Sequence, residues 1–151
     1  MSTYEPVLFP KMPKKSEKEI KALTKSLYQI FSFRRTIRNF SQTPISEEVI
    51  QNCIKIAAMA PSGANHQPWH FVAISSSTIK MKIRNAAEKE EKKFYSSLNH
   101  DEWLRALEPI GTGPNKIHLE KAPWLIVIFA ERYGIKTDGS TYKNYYVPES
   151  V

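Results

Sequence analysis

The sequence predicts an α+β fold in which helices accompany too few strands for a complete sheet. Three observations carry this. Apolar residues recur at helical spacing in three separate stretches. Two apolar runs, 69–75 and 124–130, have strand length and lie apart from those stripes. Two strands alone rarely make a stable sheet, so the chain reads as short of strands that a fragment lacks or a partner supplies.

Residues 1–15 hold Pro6, Pro10 and Pro13 and read as an extended arm, with the domain proper over 16–151. Ser16 and Glu19 form a Ser-x-x-Glu capping box that opens a first helix, ending near Phe31 or Phe33. Its apolar face is Ile20, Leu23, Leu27 and Phe31. The segment 34–44 is basic and irregular. Ser46 is expected to cap a second helix reaching about Met59, with Glu47 and Glu48 in the first turn. Its stripe of Ile50, Cys53, Ile54 and Ala57 places Cys53 in the core as a packing residue. Pro61 ends that helix, and 61–68 is a loop. Ser77 opens a third helix of about 18 residues. A hinge-like stretch follows with Pro109, Gly111, Gly113 and Pro114. The tail from Tyr142 begins like a further helix.

Composition narrows the function classes. The chain has 151 residues, 41% hydrophobic and 25% charged, as in a globular domain. No apolar run approaches the roughly 18 residues needed to cross a bilayer, so no membrane partner is expected. The first residues lack the order of a secretory signal, and the lone Cys53 cannot form an intrachain disulfide. A reduced, cytoplasmic setting is the expectation. The charge of +7 suits an anionic partner such as a phosphate. The lysines are spread along the chain, so a nucleic-acid surface is not expected.

Two elements carry chemistry. Arg34, Arg35 and Arg38 cluster within five residues, and arginine forks grip phosphate oxygens in two-pronged fashion. Alone, such a cluster is more often an ordinary charged surface. Pro61, Ser62, Gly63, Ala64 and Asn65 make a small-residue loop whose backbone N–H groups can approach a planar ligand. Alone, it reads first as an ordinary helix-to-strand turn. His66 and His70 are four apart, but Pro68 between them breaks any helix, so no metal site is expected.

A third element lies on the third helix. Its stripe of Ile79, Ile83 and Ala87 continues by fours to Glu91 and then Tyr95. An inward carboxylate is costly unless paired. The alternative is that the stripe has left the core by that point.

Taken in order, Arg-Arg-Thr-Ile-Arg-Asn-Phe, an apolar helix, and Ala-Pro-Ser-Gly-Ala-Asn-His-Gln-Pro-Trp-His-Phe-Val resemble the FMN signature of the nitroreductase superfamily. The resemblance implies a nitroreductase-like α+β fold, a central mixed or antiparallel sheet flanked by helices and here incomplete at the C-terminal end, with FMN as cofactor. Arg34, Arg35, Thr36, Ile37 and Arg38 would hold its phosphate end, and Pro61, Ser62, Gly63 and Asn65 would lie along the ring. Glu91, Tyr95 and Lys116, followed by Ala122-Pro123 and an apolar strand, resemble the iodotyrosine deiodinases within that superfamily. There Glu91 would take the ammonium of a halotyrosine, and Tyr95 and Lys116 its carboxylate. The backbone N–H of Ala64 would act as the catalytic group at the phenolate oxygen. A lid would span about 88–118, a homodimer would enclose the flavin, and NAD(P)H or a reductase would donate electrons.

The stretch 98–114 matches that family loosely, which leaves the substrate open between a halotyrosine and a nitroaromatic. The family also continues well beyond a chain of this length. The remaining alternatives are a general nitro or quinone reductase and an inactive flavin-binding fragment.

Overall fold

The computed structural model describes residues 5–6, 8–97 and 101–151. The Leu98 end of the loosely matching stretch lies outside the described residues. The chain divides into two units, 1–37 and 38–151.

The first unit is built on one helix, α1 (Glu17–Ser32). Both halves of its capping box are present. The Glu19 N–H donates to Ser16 Oγ at 3.3 Å, and the Ser16 N–H donates to Glu19 Oε2 at 2.7 Å. The Ser16 Oγ–H, donating to Glu19 Oε2 at 2.7 Å, and then the Ser16 N–H hold the Glu19 carboxyl below its ordinary range. No residue of α1 is buried: Ile20, Leu23, Leu27 and Phe31 are all exposed.

The second unit opens with α2 (Glu47–Ala58), whose acidic first turn complements the helix dipole. Ser46 occupies the N-cap position, but its side chain makes no capping bond. Of the α2 stripe, only Ile50 is buried. Cys53 is exposed, which corrects its assignment to the core. The stripe was right as a pattern, but the described elements do not cover it along its length.

A turn over Gly63–Asn65 leads into β1 (Trp69–Ile74). Helix α3 (Ser77–Ser97) is 21 residues long. Then come α4 (Asp101–Leu107), the short α5 (Ile117–Lys121) and β2 (Leu125–Ala130). The hinge-like reading missed α4 and α5, which are too short for periodicity to reveal. β1 and β2 pair antiparallel, with Trp69 opposite Ala130 and Ile74 opposite Leu125.

A second antiparallel pair, β3 (Tyr133–Ile135) and β4 (Thr141–Lys143), was not anticipated. Tyr142 therefore lies in a strand. The last helix, α6 (Val147–Ser150), starts five residues later than the tail suggested. Helix α2 packs on β1, α5 on α3, and α6 on the Gly63–Asn65 turn. Among the described residues, Ile50, Ala122 and Val147 are buried, and Pro68 is buried most completely. Among the described residues, no helix is long and apolar enough to cross a membrane.

Two polar anchors fix the second unit. Lys80 is 6% exposed, and its Nζ donates to the carbonyls of Ala122 at 2.6 Å and Pro123 at 3.3 Å. It thereby satisfies carbonyls just past the end of α5. Trp124 Nε1 donates to the Ile45 carbonyl at 2.9 Å, tying the entry to β2 to the start of α2.

Candidate functional site

The basic cluster falls across the division between the units. Arg34, Arg35, Thr36 and Ile37 belong to the first, Arg38 to the second. All five are exposed. Arg35 Nη1 donates to the carbonyls of Ser32 and Arg34, both at 2.8 Å, which folds it back on the end of α1. None of the three arginines has a carboxylate partner among the described residues. Their positive charges are therefore not neutralised by any described carboxylate, and Arg35 spends donors on main-chain carbonyls.

The small-residue loop is conformationally strained. Ala64 (φ 51°), Asn65 (φ 54°) and Gln67 (φ 46°) all take the left-handed conformation that non-glycine residues avoid. Such strain concentrates at ligand sites and must be held by surrounding contacts. Here the Gln67 N–H donates to Ser62 Oγ at 2.9 Å, and the Asn65 N–H donates to the Ser62 carbonyl at 3.0 Å. The Gly63 N–H donates to Ser150 Oγ at 3.1 Å. Among the described residues, nothing accepts a hydrogen bond from the Ala64 N–H. Ala64 is exposed, so this donor is free to meet a ligand.

The acid and the amine lie together. Lys116 Nζ sits 3.1 Å from Glu91 Oε2, with side chains 17% and 34% exposed. Glu91 comes from α3 and Lys116 from the residue that caps α5, so the packing of α5 on α3 makes the pair. Tyr95 lies one turn beyond Glu91 and is partly buried. It lines a cavity of about 420 Å³ together with Leu104, Leu107, Thr112 and Pro114. The Thr112 hydroxyl is buried there without a hydrogen-bond partner among the described residues.

Two further groups act near Lys116. Glu88 Oε1 accepts the Arg84 Nε–H at 2.8 Å and the Lys116 backbone N–H at 2.9 Å. Arg84, then the Lys116 N–H, hold the Glu88 carboxyl below its ordinary range. Arg84 Nη1 also donates to Glu120 Oε2 at 2.8 Å. An i, i+4 Arg–Glu spacing on α3 was the available signal. The second group is His118, which lines an apolar pocket with Phe40, Ile50 and Leu119. Burial first, then the positive charges of Lys116 and Arg38, push its imidazole below the ordinary range.

The sequence pattern of the nitroreductase family matches residues 32–147. The iodotyrosine deiodinase of Haliscomenobacter hydrossis is 52% identical over 124 residues, covering 82% of this chain and 56% of the relative. That of Daphnia pulex is 38% identical over 146 residues, covering 97% of this chain and 48% of the relative. The chain thus spans about half the length of the curated relatives it matches. Among solved structures, an oxidized iodotyrosine deiodinase bound to FMN and 3-iodo-L-tyrosine superposes with a TM-score of 0.67 at 29% identity. It covers 82% of this chain and 64% of that one. A BluB-like flavoprotein from Clostridium difficile superposes at 0.54 and 28% identity, covering 74% and 49%.

Proposed function

Because this chain belongs to the nitroreductase family, we propose that it binds FMN and serves the reductive dehalogenation of halotyrosines. The observation that carries the reading is the Glu91–Lys116 pair at 3.1 Å, one helical turn from Tyr95. A halotyrosine carries an ammonium and a carboxylate on one carbon. It can slide between the two charges and answer both, with Glu91 taking the ammonium, and Lys116 and Tyr95 the carboxylate. No charge is left uncompensated in the exchange, which is the condition for binding ions in a partly dry site.

The residues fit the flavin. The guanidiniums of Arg34, Arg35 and Arg38, which no described carboxylate neutralises, suit a phosphate, with Thr36 and Ile37 alongside. Pro61, Ser62, Gly63 and Asn65 suit the ring edge. FMN, when bound, supplies the electrons for the reaction. The protein's own contribution is placement and a fixed field. The Ala64 N–H offers a preorganised dipole to the substrate phenolate, and in this reading about 88–118 serves as a lid, of which 98–100 lie outside the described residues.

The exposed apolar residues Ile20, Leu23, Leu27 and Phe31 of α1 support a homodimer, since contiguous apolar faces mark interaction surfaces. NAD(P)H or a partner reductase is the electron donor in this reading, and the cytoplasm its setting. The test is quenching of bound-FMN fluorescence by 3-iodotyrosine, in the parent protein and in Glu91→Gln. A marked loss of affinity in the variant is expected, and equal affinity removes the clamp. Fast turnover of nitroaromatics without halotyrosine binding would instead assign a nitro or quinone reductase.

A further inference from the structure

We propose that Glu88 is a positioning residue that holds the main chain of Lys116 so that the lysine ammonium is set against Glu91. The inference rests on the clamp reading above and deepens it. Glu88 and Glu91 are three residues apart on α3 and so share one face. One acid meets the Lys116 backbone N–H at 2.9 Å, and the other meets the Lys116 ammonium at 3.1 Å. A single residue is thus gripped at both ends by one helix.

The backbone grip has a physical reason. Lys116 is the N-cap of α5, with φ −117° and ψ 36°, and no side chain of its own caps the helix. A glutamate three residues into a helix commonly reaches back to the N-cap N–H. Leu119 occupies that position here and cannot do so. Glu88 makes the missing bond from a neighbouring helix. Arg84 then fixes Glu88 from the other side, and through Glu120 it binds α5 itself. The side chains of Arg84 and Glu88 are 24% and 17% exposed, so these charge-assisted bonds are partly shielded from water. Without Glu88 the N-cap loses its tether, and the ammonium of Lys116 is no longer held in register with Glu91. The effect falls on ligands that use the ammonium, and spares those that do not.

The experiment titrates the FMN-loaded protein, by flavin fluorescence, with 3-iodotyrosine and with 2-iodophenol, which lacks the amino-acid end. Glu88→Ala is expected to weaken iodotyrosine about tenfold, the loss of one charge-assisted hydrogen bond. It should leave the ratio of iodophenol affinities within about twofold. Glu88→Gln keeps an acceptor oxygen for the Lys116 N–H and is expected to recover most of the loss. Glu120→Gln loosens only the outer end of the brace and carries the test if Glu88→Ala does not fold. A smaller loss, confined to iodotyrosine, is expected there. Unchanged iodotyrosine binding in Glu88→Ala, or equal losses for both ligands, would overturn the proposal. Glu91→Gln is measured beside them. If it weakens iodotyrosine and Glu88→Ala does not, only the positioning role fails; if neither does, the clamp itself fails.

Discussion

The Ser150 hydroxyl accepts a hydrogen bond from the Gly63 N–H at 3.1 Å and donates to the Tyr146 carbonyl at 2.7 Å. The last helix is thereby closed onto the strained loop, 87 residues earlier in the chain. Tyr146 completes the contact, since a Cβ placed on Gly63 would overlap the Tyr146 Cβ and ring. The Tyr146 Cβ cannot rotate away, so the backbone must shift. Gly63→Ala is expected to cost about 1–3 kcal/mol, as overpacking does. A lowered urea midpoint and a loss of flavin retention would show it. Gly134 provides the contrast: a Cβ there meets only the far end of the Tyr142 ring, which can swing aside. Gly134→Ala should cost less in the same assay.

Lys80 is the buried anchor behind α5. Removing its ammonium leaves the carbonyls of Ala122 and Pro123 without their donor in a site the side chain cannot leave to water. Lys80→Met keeps most of the volume and loses the bonds. The expected cost is about 1.5–3 kcal/mol, in the range for hydrogen bonds to charged groups. Denaturant unfolding with an unchanged m-value would measure it. A cost within error of zero would mean that the carbonyls find other donors.

Local rules were legible wherever the signal is local. The Ser16–Glu19 box, the start of α3 at Ser77 and the two main strands follow from residues a few positions apart. The Glu91–Lys116 pair was legible only through family resemblance, because nothing in spacing alone joins a residue on α3 to one 25 positions later. Cys53 shows the opposite failure. A periodic stripe predicts a face, but what covers that face is a tertiary fact. Lys80 was hidden for a related reason: a lysine is read as solvated, and here its head is satisfied by carbonyls from a distant turn. The β3–β4 hairpin did carry a signal, the Asp138-Gly139 turn between Tyr-Gly-Ile and Thr-Tyr-Lys. Gly139 takes φ 82°, and its N–H donates to the Lys136 carbonyl at 2.9 Å. The strands are only three residues long, too short for alternation to register.

The protein should lose stability as pH falls, in two successive windows. Unfolded, the His118 imidazole takes a proton near its ordinary 6.5; folded, it takes one only at lower pH. Between those values the unfolded chain binds more protons, so stability present above pH 6.5 declines below it. Glu88 acts further down, together with Glu19, Glu90 and Asp138, whose carboxyls are also held below their ordinary ranges. The Glu88 carboxyl is held below its ordinary 4.5 in the folded chain, so its contribution is present above 4.5 and is lost as pH falls through the folded value. His118→Gln should flatten the upper window and leave the lower one. Urea unfolding across pH 4–7 in parent and variant would show this, and an unchanged upper slope would remove His118 as its source.

The Glu91–Lys116 pair is too open to exist for stability alone. With side chains 34% and 17% exposed, its coupling in the ligand-free protein should stay below about 1 kcal/mol, as for ion pairs in contact with water. A double-mutant cycle of Glu91→Gln and Lys116→Met, read by unfolding, would measure that term. The same variants should behave differently toward a zwitterion. Once a halotyrosine closes the site, each charge answers a ligand group in drier surroundings, and each single variant should weaken binding by about 1.5–3 kcal/mol. Adding salt should weaken the free pair more than the bound one, because screening acts on exposed charges first. A cycle in which folding coupling exceeds the binding loss would mark the pair as structural.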